Sequence, residues 1–157
     1  MRRFLRRVFL TTLLLCLLTF LWFSFSPHLY LPVTVDNATT GAAIASQGRI
    51  PLTEEGWKNG LLGYDRLEEG CGLVLAPCRQ IHMIGMKFPI DVIFMDRDYR
   101  VVGLLESIQP GETGPLIENA RLAVELPAGT IRDYGIKTGH IIAFGGPGAL
   151  LIKLNLN

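Results

Sequence analysis

The chain has 157 residues, with 15 basic and 14 acidic side chains and a formal net charge of +1, which allows one domain and not comfortably two. Arg2, Arg3, Arg6 and Arg7 supply four of the basic residues and every acidic residue follows Leu31, so 11 basic and 14 acidic residues, a balance of −3, remain for the rest. A mildly acidic domain without a Lys/Arg run has no face on which to neutralise phosphates, which excludes nucleic acid as a partner.

Residues 1–7 read as a cytoplasmic basic segment. Val8–Phe25 then run for 18 residues without a charge. A helix of that length rises about 27 Å, close to the thickness of bilayer hydrocarbon. Trp22, Phe23, Phe25 and Tyr30 cluster at its far end, where amphipathic rings favour the headgroup region. The expectation is an N-terminal transmembrane signal anchor at 8–26, partnered by the lipid bilayer, a linker at 27–32, and an extracytoplasmic domain at 33–157, because the arginines stay on the cytoplasmic side. Three alternatives use the same residues, of which a buried core helix fits poorly with a run this long that opens with four arginines. A cleaved signal peptide, giving a secreted protein, would be cut near Ser24-Phe25-Ser26, although Pro27 follows at once. A lipoprotein would use Cys16, which has no small residue before it.

Val33–Val35 alternates and is β-branched, the mark of a first strand. Asp36–Gly41 is a turn cluster, and Ala42–Ile50 reads as a second strand. Thr53 can cap a helix that carries Glu54 and Glu55 in its first turn, and Trp57, Leu61 and Leu62 recur at helical spacing, so a short helix is expected over 53–62. Leu73–Leu75 and Ile81–Met83 are short apolar runs, read as strands. Ile90–Met95 is a strand with Ile90, Val92 and Phe94 on one face and Asp91, Ile93 and Met95 on the other. Asp96–Asp98 turns the chain, and Tyr99–Leu105 returns as a hairpin.

Ile108–Pro115 contains two prolines and two glycines and is loop. Leu122–Leu126 is a strand stopped by Pro127. Thr130–Tyr134 fits one helical turn with Gly135 as its cap. Ile141–Phe144 and Leu150–Leu154 read as the last two strands, joined by Gly145-Gly146-Pro147-Gly148. That glycine run lacks the Lys-Ser/Thr end of a phosphate-binding loop, and no cofactor is expected. The fold class is mostly β: a compact antiparallel sandwich or partly closed barrel with one or two short helices, after a single N-terminal transmembrane helix.

Several ordered pieces point to a family. They are Gly60-Leu61-Leu62-Gly63, Gly72–Leu75, Cys78–Met86, Phe88–Asp96, Val101-Val102, Pro110 and Val124-Glu125-Leu126-Pro127-Ala128-Gly129. From Gly60 to Phe144 the chain resembles the uncharacterised prokaryotic family called domain of unknown function 192. The resemblance implies a compact, mostly antiparallel β-sandwich, often secreted or membrane-anchored, and no established activity. Two positions depart from the pattern. His140 follows Gly139 where an acidic residue is frequent, and Cys71 stands where the motif has no cysteine.

Three constellations carry possible chemistry. Cys78, His82, Met83 and Met86 combine thiol, imidazole and thioether, the donors that soft metals prefer. In an extended chain, however, residues four apart are separated by about 13 Å, too far to share one ion unless the chain turns at Gly85. Asp91 and Glu125 are carboxylates embedded in apolar strands. As a pair they suit general acid/base hydrolysis, with His82 as a further candidate. Singly, each would satisfy backbone donors or pair with a base such as Arg79 or Arg121. Cys71 and Cys78 would lie about 20 Å apart across an extended Leu73–Leu75, beyond disulfide range. Asn37-Ala38-Thr39 fits the N-glycosylation pattern.

The leading functional expectation is a non-enzymatic, membrane-tethered binding or assembly module of the cell envelope, taking an envelope protein or a small ligand. The others are an envelope hydrolase using Asp91 and Glu125, and a soft-metal handler using Cys78, His82 and Met86. Convergence of His82, Asp91 and Glu125 on one open cleft would favour chemistry.

Overall fold

The computed structural model describes residues 11–16 and 29–156. Residues 11–16 are helical, and the remainder of the expected 8–26 span lies outside the described residues, as do residues 1–7. Among the described residues no helix is long and apolar enough to cross a membrane.

Seven strands form one sheet: β1 (Tyr30–Asn37), β2 (Ala42–Pro51), β3 (Cys71–Leu75), β4 (Ile90–Met95), β5 (Val101–Ile108), β6 (Leu122–Pro127) and β7 (Ile142–Gly145). Their order across the sheet is β5-β4-β6-β3-β2-β1-β7. Three short helices, α1 (Glu54–Asn59), α2 (Thr130–Asp133) and α3 (Pro147–Asn155), pack around it. Every neighbouring pair is antiparallel except β2 and β3, which run parallel because α1 and its following loop carry the chain back across.

The sheet curls into a half-barrel. Its outermost strands approach each other at one corner, where Arg100 bridges Ile141, Val101 N donates to His140 O at 2.8 Å and Ile142 N donates to Tyr99 O at 3.0 Å. Of the two expected forms the partly closed barrel holds and the sandwich does not: a single sheet rolls toward closure, and it is mixed rather than wholly antiparallel. Two cores divide at that sheet. One fills the hollow and includes Val35, Val74, Ile93, Met95, Val124 and Ile142. The other covers the opposite face and includes Leu73, Leu75, Ile90, Val92, Phe94 and Ala123. β4 shows the division plainly, since its period of two sends alternate residues to different cores.

The curl needs close strand approach at Gly48. A Cβ there would lie 2.5 Å from the Val33 carbonyl oxygen, at the point where the β1–β2 register slips between Val33 and Val35. Glycine removes that collision and admits the bulge.

Three expected elements are corrected. Ile81–Met83 is not a strand; its pairing is confined to a bridge between His82 and Thr113. The strand after the Asp96–Asp98 turn starts at Val101, because Tyr99 takes φ +60° within the turn. Leu150–Leu154 is helical: Pro147 fits the first turn, where its missing N–H costs nothing. Gly148, Ile152 and Leu156 are buried at a spacing of four, so α3 offers one helical face to the core rather than alternate residues.

Candidate functional site

Glu125 lies in the middle of β6, paired across to Leu73 of β3 on one side and Val92 of β4 on the other. Both neighbours belong to the outer core, so the carboxyl sits on that face amid apolar side chains. The residue is only 7% exposed, and its Oε2 is buried without a hydrogen-bond partner. Burial pushes its pKa up to about 7, because an apolar surrounding disfavours the charged form. Among the described residues neither expected base pairs with it. Arg121 instead donates from Nη1 to the carbonyl oxygens of Ala120, at 2.8 Å, and Glu118.

The loop after β3 builds the opposite wall. Cys78 N donates to Arg121 O at 2.9 Å, tying the loop to the start of β6. The Gln80 side chain donates to Gly114 O at 2.9 Å, and Gly114 N donates back to Ile81 O at 3.0 Å. Gly85, at φ +83°, then reverses the chain, and Met86 N closes the turn on Met83 O at 3.1 Å. Only a residue that tolerates a positive φ makes this reversal without strain.

A cleft of about 100 Å³ results. Glu125 lies within it, apolar walls come from Leu61, Leu75, Ile81, Met83 and Met86, and Trp57, Lys58, Asn59, Gln80 and His82 also line it. Trp57 is brought there by α1, whose first turn is capped by Thr53 Oγ1 accepting from Gly56 N at 3.0 Å.

Cys78 also borders the cleft. Its thiol donates to Gln80 O at 3.4 Å. Desolvation pushes its pKa up to about 11, opposed by the Gln80 contact and reinforced by the neighbouring Glu125 carboxylate. A thiol held so firmly protonated is a poor nucleophile. At pH 8 its alkylation by iodoacetamide should run about a hundredfold slower than that of a free cysteine titrating near 8.5. Alkylation at the free rate would remove Cys78 from this buried setting. Cys71 and Cys78 are both free; Cys71 opens β3 and Cys78 lies in the loop after it.

Asp91 does not join this cleft. It pairs across to Leu126, not to Glu125, and so faces the hollow of the sheet. It is fully buried. Its Oδ1 accepts from Ser107 N at 2.8 Å and its Oδ2 from Ile131 N at 2.7 Å. These are structural bonds. β5 carries an extra residue opposite Asp91, where the register jumps between Ile90 and Val92, and the bulge leaves Ser107 N needing an acceptor. α2 begins at Gly129 without a side-chain cap, so Asp91 supplies the missing acceptor at its first turn. The expected Asp91/Glu125 acid/base pair is thus split between the two faces of the sheet.

Of the six residues singled out from sequence in the ligand-like cluster and the carboxylate pair, Cys78, His82 and Met86, together with Met83 and Glu125, border one cleft. The first three meet there because the chain turns at Gly85 instead of staying extended. Among the described residues no group of three or more His, Cys, Asp or Glu is arranged to hold a metal ion. Trp57 and Gln80 were not anticipated as lining. Trp57 carried a signal as a large aromatic at helical spacing with Leu61 and Leu62 on a short capped helix, whereas nothing local marked Gln80.

His140, at the position that departs from the family pattern, has its own structural task. Its Nδ1 lies 2.9 Å from Asn37 Nδ2 and 3.4 Å from Lys137 N. Both are N–H donors, so Nδ1 accepts, as a carboxylate would. Asn37 is fully buried, and its Oδ1 accepts from Thr39 N and Thr40 N. The Asn37-Ala38-Thr39 sequon is therefore closed to a glycan.

Residues 35–144 match the DUF192 family, described as Uncharacterized ACR, COG1430. The chain belongs to the DUF192 family. The match reaches back beyond Gly60 to take in the end of β1, from Val35, and all of β2. No curated protein matches the chain. Two solved structures share the DUF192 fold seen here. One is a protein of unknown function from Novosphingobium aromaticivorans DSM 12444, with a TM-score of 0.63 and 23% identity, covering 73% of this chain and 84% of that one. The other, from Sinorhizobium meliloti 1021 and provisionally named a transcription regulator, has a TM-score of 0.61 and 18% identity, covering 74% of this chain and 94% of that one. At these identities the likeness is one of fold alone.

Proposed function

We propose that this DUF192 protein is a membrane-tethered extracytoplasmic binding module whose cleft takes a small ligand bearing a hydrogen-bond donor. The observation that carries the ligand reading is Glu125 Oε2, buried in an open cleft without a partner. A buried acceptor left unmatched is costly, and a donor brought by a ligand removes that cost. Binding rather than turnover is favoured because the second carboxylate, Asp91, faces the other side of the sheet with both oxygens committed. The tether rests on the arginine-flanked apolar run of Val8–Phe25.

Methylammonium is a minimal probe for the cleft. At the ceiling of about −1.5 kcal/mol per non-hydrogen atom its affinity is millimolar, within reach of NMR. Titrated into the full chain, it should shift the Glu125 carboxyl ¹³C signal. Binding should strengthen as pH rises through about 7, since the carboxylate and not the acid accepts from ammonium. No shift at Glu125 at any pH from 5 to 9 would remove the ligand reading. Protease treatment of intact cells tests the tether separately: a C-terminal domain shielded from external protease would refute the extracytoplasmic placement.

A further inference from the structure

A second depression lies beside the cleft, and Trp57 lines both. It is a groove of about 300 Å³ whose lining includes Pro51, Leu52, Ala76 and Pro77. Leu52 and Trp57 are 39% and 38% exposed, high for large apolar side chains. The two hollows differ in chemistry. One holds an unpartnered carboxyl; the other is apolar apart from Thr53 and Glu54 at the start of α1. Glu54 is already engaged by Lys58 at 2.7 Å. Lys58 lines the Glu125 cleft as well, but its ammonium is paired with Glu54 and makes no salt bridge with Glu125.

From this juxtaposition we propose that the ligand is a linear aliphatic amine, its ammonium head at Glu125 and its hydrocarbon chain passing Trp57 into the Pro51/Leu52/Pro77 groove. The inference rests on the ligand reading of the cleft given above and adds the class of ligand. Two arguments select it. A neutral donor would satisfy Oε2 but leave the buried charge unpaired, whereas an ammonium group both bonds and neutralises it. Trp57 at the junction presents an aromatic surface that suits a cation on one side and a methylene chain on the other. The groove then gives the chain an apolar lodging that water would otherwise fill.

The test is a series of methyl-, propyl-, butyl- and hexylammonium, with 1,6-diaminohexane as control. It uses the full chain in lipid nanodiscs and reads the Glu125 carboxyl ¹³C shift, which responds to the bound site and not to amine dissolved in lipid. Affinity should rise up to about fourfold for each methylene that reaches the groove. The diamine should bind more weakly than hexylammonium, because its second charge would have to enter the groove. Leu52→Ser, at an exposed position, should flatten the series. A series that shifts Glu125 with no dependence on chain length, or a diamine that binds as tightly as hexylammonium, overturns the proposal while leaving the donor-binding cleft intact. Failure of every amine to move the Glu125 signal overturns both.

Discussion

Between about pH 4.5 and 7 the wild-type protein should lose about 3 kcal/mol of stability that a Glu125→Gln variant keeps. The sign follows from where the proton is held. Burial raises the folded-state pKa of Glu125 from 4.5 to about 7. Across that window the folded chain retains a proton that the unfolded chain has released, so rising pH favours unfolding. The loss begins above the unfolded value and is complete once the folded carboxyl has ionised. Glutamine keeps the shape and stays neutral throughout. Urea unfolding of both proteins from pH 4 to 9 measures the difference. The melting temperature of the variant relative to wild type should rise by about 10 °C between pH 4.5 and pH 7.5. A difference that does not vary with pH would show that Glu125 is already ionised in the folded protein at pH 6, and the proton-gated account of the cleft would go with it.

The opposite outcome is expected at the other embedded carboxylate. Asp91→Ala should cost about 4 kcal/mol, since it orphans Ser107 N and Ile131 N together in a fully buried place. Asp91→Asn should cost about half as much, because its amide keeps one acceptor and turns an N–H toward the other donor. Chemical denaturation reads both. Hydrogen exchange gives a sharper check: the amides of Ser107 and Ile131, at the β5 bulge and the start of α2, should lose protection before the rest of the sheet does. A cost below 1 kcal/mol for Asp91→Ala would mean that the clamp is dispensable and Asp91 free for another task.

These contrasting fates show what was legible from sequence and what was not. Both carboxylates stood out as charges in apolar strands, and the period-two alternation of Ile90–Met95 correctly set Asp91 against Val92. Their mutual placement depended on the register of β4 against β6, which no local pattern encodes. The cleft depended on still longer-range events: the parallel pairing of β2 with β3, which swings α1 and Trp57 over the outer face, and the reversal at Gly85, which folds Cys78, His82 and Met86 onto a common rim. An extended reading of residues 78–86 kept them apart because short apolar runs such as Ile81–Met83 satisfy strand and loop alike. The last segment failed for a similar reason. Leu150, Leu151, Ile152 and Leu154 fit either period, and Pro147 at the helix start was the discriminating residue. The turn chemistry, the capped α1 and the family pattern were all readable, since each is local.

The position of β1 in the sheet has a consequence for how the protein is made. The earliest of the described strands, β1, is not an edge; it is flanked by β2 and by β7, the latest of them, through Thr34–Asn37 against Ile142–Gly145. A nascent chain that has not yet released residue 142 therefore carries a naked strand border along β1, the kind of border that recruits neighbouring chains. Truncations upstream of Ile142 should accumulate as insoluble material, and polysome crowding on one message places such unfinished borders side by side. For this topology the sheet is sealed only once Ile142–Gly145 has emerged to pair with β1.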